Sequence, residues 1–184
     1  MDDIVIQAMA KWPNVPDCYG WLGLDARGNW YLRDEPAQAQ GGFASGQPGA
    51  KGSLLQHAGL IAFIQRNYAC DAQGQWYFQN GPQRVYVELQ ATPWVWRVGP
   101  HGALTAHDAR PAQYQCALVD ENGWLYLQTT LGFGLVHTQD MGAAAQALEA
   151  GQWTVQEVLH ADLPGRYGYV QSPQSLAQAA LTAI

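Results

Sequence analysis

The sequence predicts an α+β fold: a mainly antiparallel, twisted sheet of aromatic β-hairpins with two to four helices packed on it, in a single domain over residues 1–184. Three observations carry that prediction. Apolar and polar residues alternate over short stretches such as Val85-Tyr86-Val87-Glu88-Leu89-Gln90, the period of a half-buried strand. Turn signals built on Asp or Asn with a following Gly separate those stretches. Helical stripes, by contrast, are few and short. A chain of 184 residues fits one domain better than two, and it buries roughly 70% of its unfolded surface without disulfide support.

The elements follow in order. Asp2 or Asp3 opens a helix to about Lys11, which Trp12-Pro13-Asn14-Val15-Pro16 ends, because proline lacks the amide donor. Tyr19–Leu24 and Asn29–Arg33 form a hairpin around Asp25-Ala26-Arg27-Gly28. Residues 34–52, rich in Gly and Pro, carry no strand or helix signal and read as a functional loop or mobile flap. Ser53 caps a helix to about Asn67 with the stripe Leu54, Leu55, Ala58, Ile61, Ala62 and Ile64. From Cys70 to His107 strands dominate, with Asn80-Gly81 and Gly99-Pro100-His101-Gly102 as turns. A further hairpin spans Gln115–Val119 and Trp124–Thr129, and Leu131–Thr138 is a strand. Ala143–Ala150 forms a short helix ended by Gly151, and Trp153–Leu159 a last strand. Ser172 or Ser175 then caps a helix to Ala183.

One frame recurs: Asp, Gly three residues later, Tyr six later, then an apolar residue. It starts at Asp25, Asp71 and Asp120, spacings of 46 and 49. Propeller blades and solenoid units have periods of that size. The segments between the copies differ in kind, however, so the expectation is a favoured turn used three times in one antiparallel sheet. The frame is also similar to cell-wall-binding repeats with their Gly-x-Trp-Tyr-Tyr segments, which recur at closer spacing and act outside the cell; no binding residue carries over.

Composition narrows the function. Net charge is −6, the nine basic residues are scattered, and only Lys11 and Lys51 are lysines. Nucleic-acid binding needs clustered cations to release counterions, so no nucleic-acid partner is expected. The start carries Asp2 and Asp3 where a signal peptide has positive charge, and the longest apolar run, Leu60–Ile64, is too short to span a bilayer. A cytoplasmic protein without a membrane partner is predicted. Cys18, Cys70 and Cys116 are an odd number at long spacings and read as small buried hydrophobes. Charged residues make up only 13% of a chain rich in aromatics, a surface suited to homo-oligomers.

Two stretches are distinctive: Val85-Tyr86-Val87-Glu88-Leu89-Gln90-Ala91-Thr92-Pro93-Trp94-Val95-Trp96-Arg97 and Leu131-Gly132-Phe133-Gly134-Leu135-Val136-His137-Thr138-Gln139-Asp140-Met141. With Tyr19-Gly20-Trp21-Leu22 they resemble an uncharacterised proteobacterial family of similar length. The resemblance implies a bacterial, cytosolic origin and no catalytic or binding assignment.

The candidate chemistry is sparse. His101 and His107, with Asp108 and Cys116 within reach, are zinc-type donors, but no two histidines share helical i, i+4 spacing and no metal or other cofactor is assigned. His137 closes an apolar strand with Asp140 three residues on; Asp140 either caps the next helix or orients His137 as a general base. Glu88 is either a partly buried acid with a raised pKa or a solvent-facing strand residue. Cys70 or Cys116 with His137 has no local nucleophile signature, and Gly132-Phe133-Gly134 lacks the third glycine of a dinucleotide fingerprint. Three readings follow. The first is a non-enzymatic binding or interaction protein that presents Trp94 and Trp96 on an aromatic sheet surface to an unknown protein or small molecule. The second is a small enzyme or ligand-binding pocket using His137, Glu88 and Asp140 under the 34–52 loop. The third is a structural homo-oligomer subunit.

Overall fold

The computed structural model describes residues 1–182; Ala183, the predicted end of the last helix, lies outside the described residues. The fold is α+β, with two mixed sheets in two compact units. The first unit holds α1 (Asp3–Lys11), β1 (Cys18–Leu24), β2 (Trp30–Leu32), α2 (Glu35–Ala39), β3 (Ser53–Leu54), α3 (Ala58–Arg66), β4 (Tyr68–Cys70), β5 (Trp76–Asn80) and β6 (Gln83–Leu89). The second holds β7 (Trp94–Val98), β8 (Leu104–Ala106), β9 (Pro111–Ala112), β10 (Tyr114–Asp120), β11 (Leu125–Thr129), β12 (Gly132–Val136), α4 (Met141–Glu149), β13 (Val155–Val158) and α5 (Leu163–Tyr167). The C-terminal α6 (Pro173–Thr182) returns to the first unit and lies against β1 and β6. Among the described residues six α-helices stand where two to four were predicted; the surplus is α2 and α5, five residues each and too short to show a helical stripe.

Local chemistry sets the element ends. Asp34 Oδ1 accepts from Ala37 N at 2.9 Å and starts α2 inside the stretch predicted to be structureless. Pro36 fits the first turn of that helix, where no amide hydrogen is needed. Ser53 does not cap α3. It pairs with Leu32 in β3, and the helix starts five residues later, where the His57 Nδ1 accepts from Leu60 N at 3.1 Å. Ser172 does cap α6, its Oγ accepting from Ser175 N.

The three recurrent turns share one geometry. The Oδ1 of Asp25, Asp71 and Asp120 accepts from the amide four residues on at 2.8, 2.9 and 2.9 Å. Gly28, Gly74 and Gly123 take φ of +83°, +81° and +78°, a backbone that a Cβ disfavours. They do not lie in one antiparallel sheet. The Asp25 and Asp71 turns belong to the first sheet and the Asp120 turn to the second.

The strand orders reveal why. The first sheet runs β3-β2-β1-β6-β5-β4 and the second β13-β10-β11-β12-β7-β8-β9. Read from β9, the second repeats the first and adds β13. In each, a hairpin is followed by a three-strand meander whose last strand returns parallel to the first strand of the hairpin. The register repeats residue for residue. A shift of 49 carries Tyr68↔Phe78 onto Ala117↔Leu127, and Tyr77↔Tyr86 onto Tyr126↔Leu135. A shift of 74 carries Leu22↔Leu32 onto Trp96↔Ala106, and Leu24↔Trp30 onto Val98↔Leu104. Both shifts together carry the parallel pair Leu22↔Val87 onto Trp96↔Val136. The 49-residue spacing is therefore the period of the meander, whereas the 46-residue spacing joins turns that are not equivalent.

Candidate functional site

The hairpin and meander of the first unit put Leu22, Leu32, Phe78 and Val85 on one face of its sheet, since paired residues share a face. Helix α3 covers part of that face. Phe63 meets the Phe78 ring edge-on at 5.4 Å, and Ile64 is fully buried. Burial of a side chain such as Ile64 or Phe78 contributes roughly 1.5–3 kcal/mol, enough to fix the helix on the sheet. The helix is too short to cover the rest. Between Leu60 and Ile64 of α3 and the strands lies an open pocket of about 590 Å3 with Leu22, Phe78 and Val85 as its floor. Cys18, Trp21, Asp34, Ser53 and Asn80 form its rim. Most of the lining is apolar, as a ligand pocket requires, with a few polar groups at the edge.

A bulge shapes the mouth. Between Cys18 and Leu22, β1 uses four steps where the partner β6 uses two, from Val85 to Val87. Gly20 inside the bulge takes φ of +81° and lies against the paired side chains of Gln38 and Gln174. Trp21 is thrown outward and stays 44% exposed at the rim. Bulges re-aim side chains in this way. Burial pushes the Cys18 thiol up, which keeps it protonated and a poor nucleophile.

The rim charge is settled by Arg33, 1% exposed. Its guanidinium donates to the carbonyls of Ala50 (2.8 Å), Gly20 (3.1 Å) and Gly41 (2.6 Å) and to Gln174 Oε1 (3.3 Å). Burial pulls its pKa below the ordinary arginine value, against the opposing charge of Glu88. The same bonds tie Gly41 and Ala50 of the 34–52 stretch to Arg33. Phe43 fills the space beneath that stretch, so close that a Cβ on Gly23 would stand 2.5 Å from its ring, and meets Tyr31 edge-on. Gly23 and Tyr31 alternate with Leu22 and Leu32, so the filled face is the one opposite the pocket.

The residues singled out from the sequence lie elsewhere. Glu88 is buried at 2% exposure, not solvent-facing, and holds the start of α6. It accepts from Ser172 Oγ at 2.6 Å and from Gln174 N at 2.9 Å. Burial raises its pKa, against those two bonds and the Arg33 charge. His137 and Asp140 belong to the second unit. His137 occupies the strand position of Glu88, 49 residues on, and its Nδ1 accepts from Gln139 N at 3.1 Å. Asp140 makes no side-chain cap for α4. Its carboxylate instead accepts from Arg97 and Val98 N, and the Arg97 bond holds its pKa below the usual range. Trp94 and Trp96 are 3% and 0% exposed and present no surface to a partner. Of the cysteines, Cys18 and Cys116 are half-buried and Cys70 is exposed, not buried as expected.

In the second unit, Asp120 joins Tyr126 and His160. Its Oδ2 lies 2.9 Å from the tyrosine hydroxyl and 3.2 Å from the imidazole Nδ1, and the hydroxyl is 3.1 Å from that nitrogen. Burial pushes the Asp120 carboxyl up, but bonds from Trp124 N, Tyr126, Asn122 N and His160 outweigh it and leave the pKa low. Among the described residues, no group of three or more His, Cys, Asp or Glu side chains is arranged to hold a metal ion, and no helix is long and apolar enough to cross a membrane.

Of the residues lining the first-unit pocket, Trp21, Leu22, Asp34 and Val85 fall in stretches singled out from the sequence, but none of them reads there as part of a pocket. The signal that could find the pocket is the 49-residue comparison, which sets Val85 against Gly134 and Phe78 against Leu127.

No curated protein matches the chain. Among solved structures, it is similar to a DUF1285 family protein from Silicibacter pomeroyi DSS-3, at 12% identity and a TM-score of 0.48 over 79% of this chain and 84% of that one. A family model, DUF2944, described as "Protein of unknown function (DUF2946)", matches residues 1–174. With nearly all of its length matched, the chain belongs to the DUF2944 family, whose function is unknown.

Proposed function

We propose that this protein binds a small apolar molecule, without transforming it, in the first-unit pocket between α3 and the sheet. One observation carries the reading. The two units share a strand register, and the sheet face that is open in the first is closed by side chains in the second. A fold that can close this face with its own residues leaves about 590 Å3 open beside Leu22, Phe78 and Val85. The lining favours binding over catalysis. Arg33 spends its donors on protein acceptors, and Cys18 is kept as a thiol.

Native mass spectrometry of the untagged protein from a bacterial host tests this, with Val85→Trp as the filled control. The expected result is extra mass on the wild-type chain that the control lacks. Bare chains, together with no thermal shift from any of a panel of small apolar compounds, overturn the reading.

A further inference from the structure

We infer that the occupant of this pocket is a planar aromatic ring system carrying an N–H donor, neutral or cationic, with indole as the simplest example; this rests on the binding reading above. The second unit shows what the face accepts. Cys18 pairs with Val85 as Trp94 pairs with Gly134, and Leu22 pairs with Val87 as Trp96 pairs with Val136. The pocket floor of the first unit thus corresponds to the site of two indoles. Trp94 and Trp96 stack there with ring centroids 6.1 Å apart and planes 24° apart. The Trp96 Nε1–H donates to Leu127 O at 3.1 Å, the residue equivalent to Phe78.

Gly134 makes this possible. A Cβ there would stand 2.5 Å from Trp94 O and 2.6 Å from Trp96 Nε1. Where the first unit has the small Cys18 and the aliphatic Leu22 in place of the indoles, a Val85 is tolerated and a volume remains open. One aromatic is kept at the mouth, since the bulge sets Trp21 at the rim, where a ligand ring can stack on it.

Charge selects the ring's substituents. The Arg33 guanidinium is buried and bonded to four acceptors, so it offers nothing to an anion. Asp34 Oδ1 accepts from Ala37 N, and its carboxylate has a second oxygen able to accept; Asp34 lines the pocket together with Asn80 and Ser53. A ring N–H or an alkylammonium meets acceptors there, whereas a ligand carboxylate meets Asp34.

The test is ligand-observed NMR on the full chain with indole, tryptamine, indole-3-carboxylate and octan-1-ol. Indole and tryptamine are expected to bind, the carboxylate and the alcohol at least about tenfold more weakly. Leu22→Trp combined with Val85→Gly transplants the Trp96 half of the second unit's plug, with its glycine, and should abolish indole binding. If that variant fails to fold, Trp21→Ala, at an exposed position, decides, with a several-fold loss expected. Trp124→Ala, exposed in the second unit, should leave binding unchanged. Octan-1-ol binding with no indole binding overturns the ring assignment but leaves an apolar pocket. No binding by any probe overturns both. Indole binding that survives the plug or Trp21→Ala, or carboxylate binding as tight as that of indole, overturns the inference.

Discussion

The two units begin from one strand plan and end with different interiors. In the second, the hairpin passes to the meander through residues 107–113, and the matching face is packed with Trp94 and Trp96 against Gly134. In the first, the corresponding connection runs from Arg33 to Asn67 and brings in α2, β3 and α3. The sheet is the same, so the difference lies in side-chain volume and connection length. Large rings need a glycine opposite them and exclude a ligand. Small side chains need a separate helix to cover them, and a helix of nine residues covers the face incompletely.

The sharpest break of this comparison is a pair of truncations at equivalent positions. Trp96→Ala empties a closed site, and the expected loss is about 4 kcal/mol, because the cavity cannot collapse onto a rigid sheet. Leu22→Ala removes fewer atoms beside space that is already open, so about 2 kcal/mol is expected. Hydrogen exchange read separately for the amides of each sheet measures both. Equal losses would mean that the first-unit pocket is as closed as the second. Arg33→Met comes next. It deprives the carbonyls of Gly20, Gly41 and Ala50 of their donor, and about 3 kcal/mol is expected, with residues 34–52 becoming sensitive to protease. The equivalent His107→Ala should leave its connection intact, since that segment spans only a few residues and has no comparable loop to fasten.

How much of this was legible in the chain can be argued from a few residues. The turns at Asp25, Asp71 and Asp120 are local chemistry, and their strands follow directly from alternation. The meander period was visible as the 49-residue spacing. The 46-residue spacing obscured it, because one turn recipe serves two non-equivalent hairpins. Parallel pairing of β1 with β6 and of β7 with β12 joins residues more than 35 apart, and nothing local encodes it. Ser53 is a competent cap by residue type, and only its pairing with Leu32 in the sheet moves the helix start to His57. Trp94 and Trp96 read as a sheet surface, because alternation along a strand does not say which of its faces meets the core. The glycine that buries them, Gly134, read as half of a weak nucleotide fingerprint. The pocket itself is a difference between two copies, so no single stretch contains it.

The turn aspartates sharpen the comparison at smaller cost. Asp120→Ala should cost about 2 kcal/mol, because it removes the acceptor of the turn amides and of the Tyr126–His160 pair together. Asp71→Ala should cost about 1 kcal/mol, since its Gln75 Nε2 partner can turn to water and it has no histidine to hold. Asp120 also has a depressed folded pKa. The stability it adds is present above its unfolded pKa and is lost as pH falls through the folded one, so the gap between wild type and Asp120→Ala should close in acid. A gap that persists under acid conditions would assign the effect to packing instead of charge.

Glu88, which shares its meander position with His137, gives the smallest effect and the opposite sign. Burial holds the Glu88 carboxyl above its ordinary 4.5. A raised folded pKa means that the folded chain binds the proton more tightly, so this stabilisation is present below the unfolded pKa and is lost as pH rises through the folded one. In Glu88→Gln the group no longer titrates. The stability of wild type relative to this variant should therefore fall as pH rises above about 4.5 and level off past the folded pKa. Urea denaturation at several pH values measures it, and the depressed Asp120 and Asp140, common to both proteins, cancel in the difference. A gap that widens as pH rises would mean that the bonds from Ser172 and Gln174 outweigh desolvation, making Glu88 an ionised anchor for α6 at neutral pH.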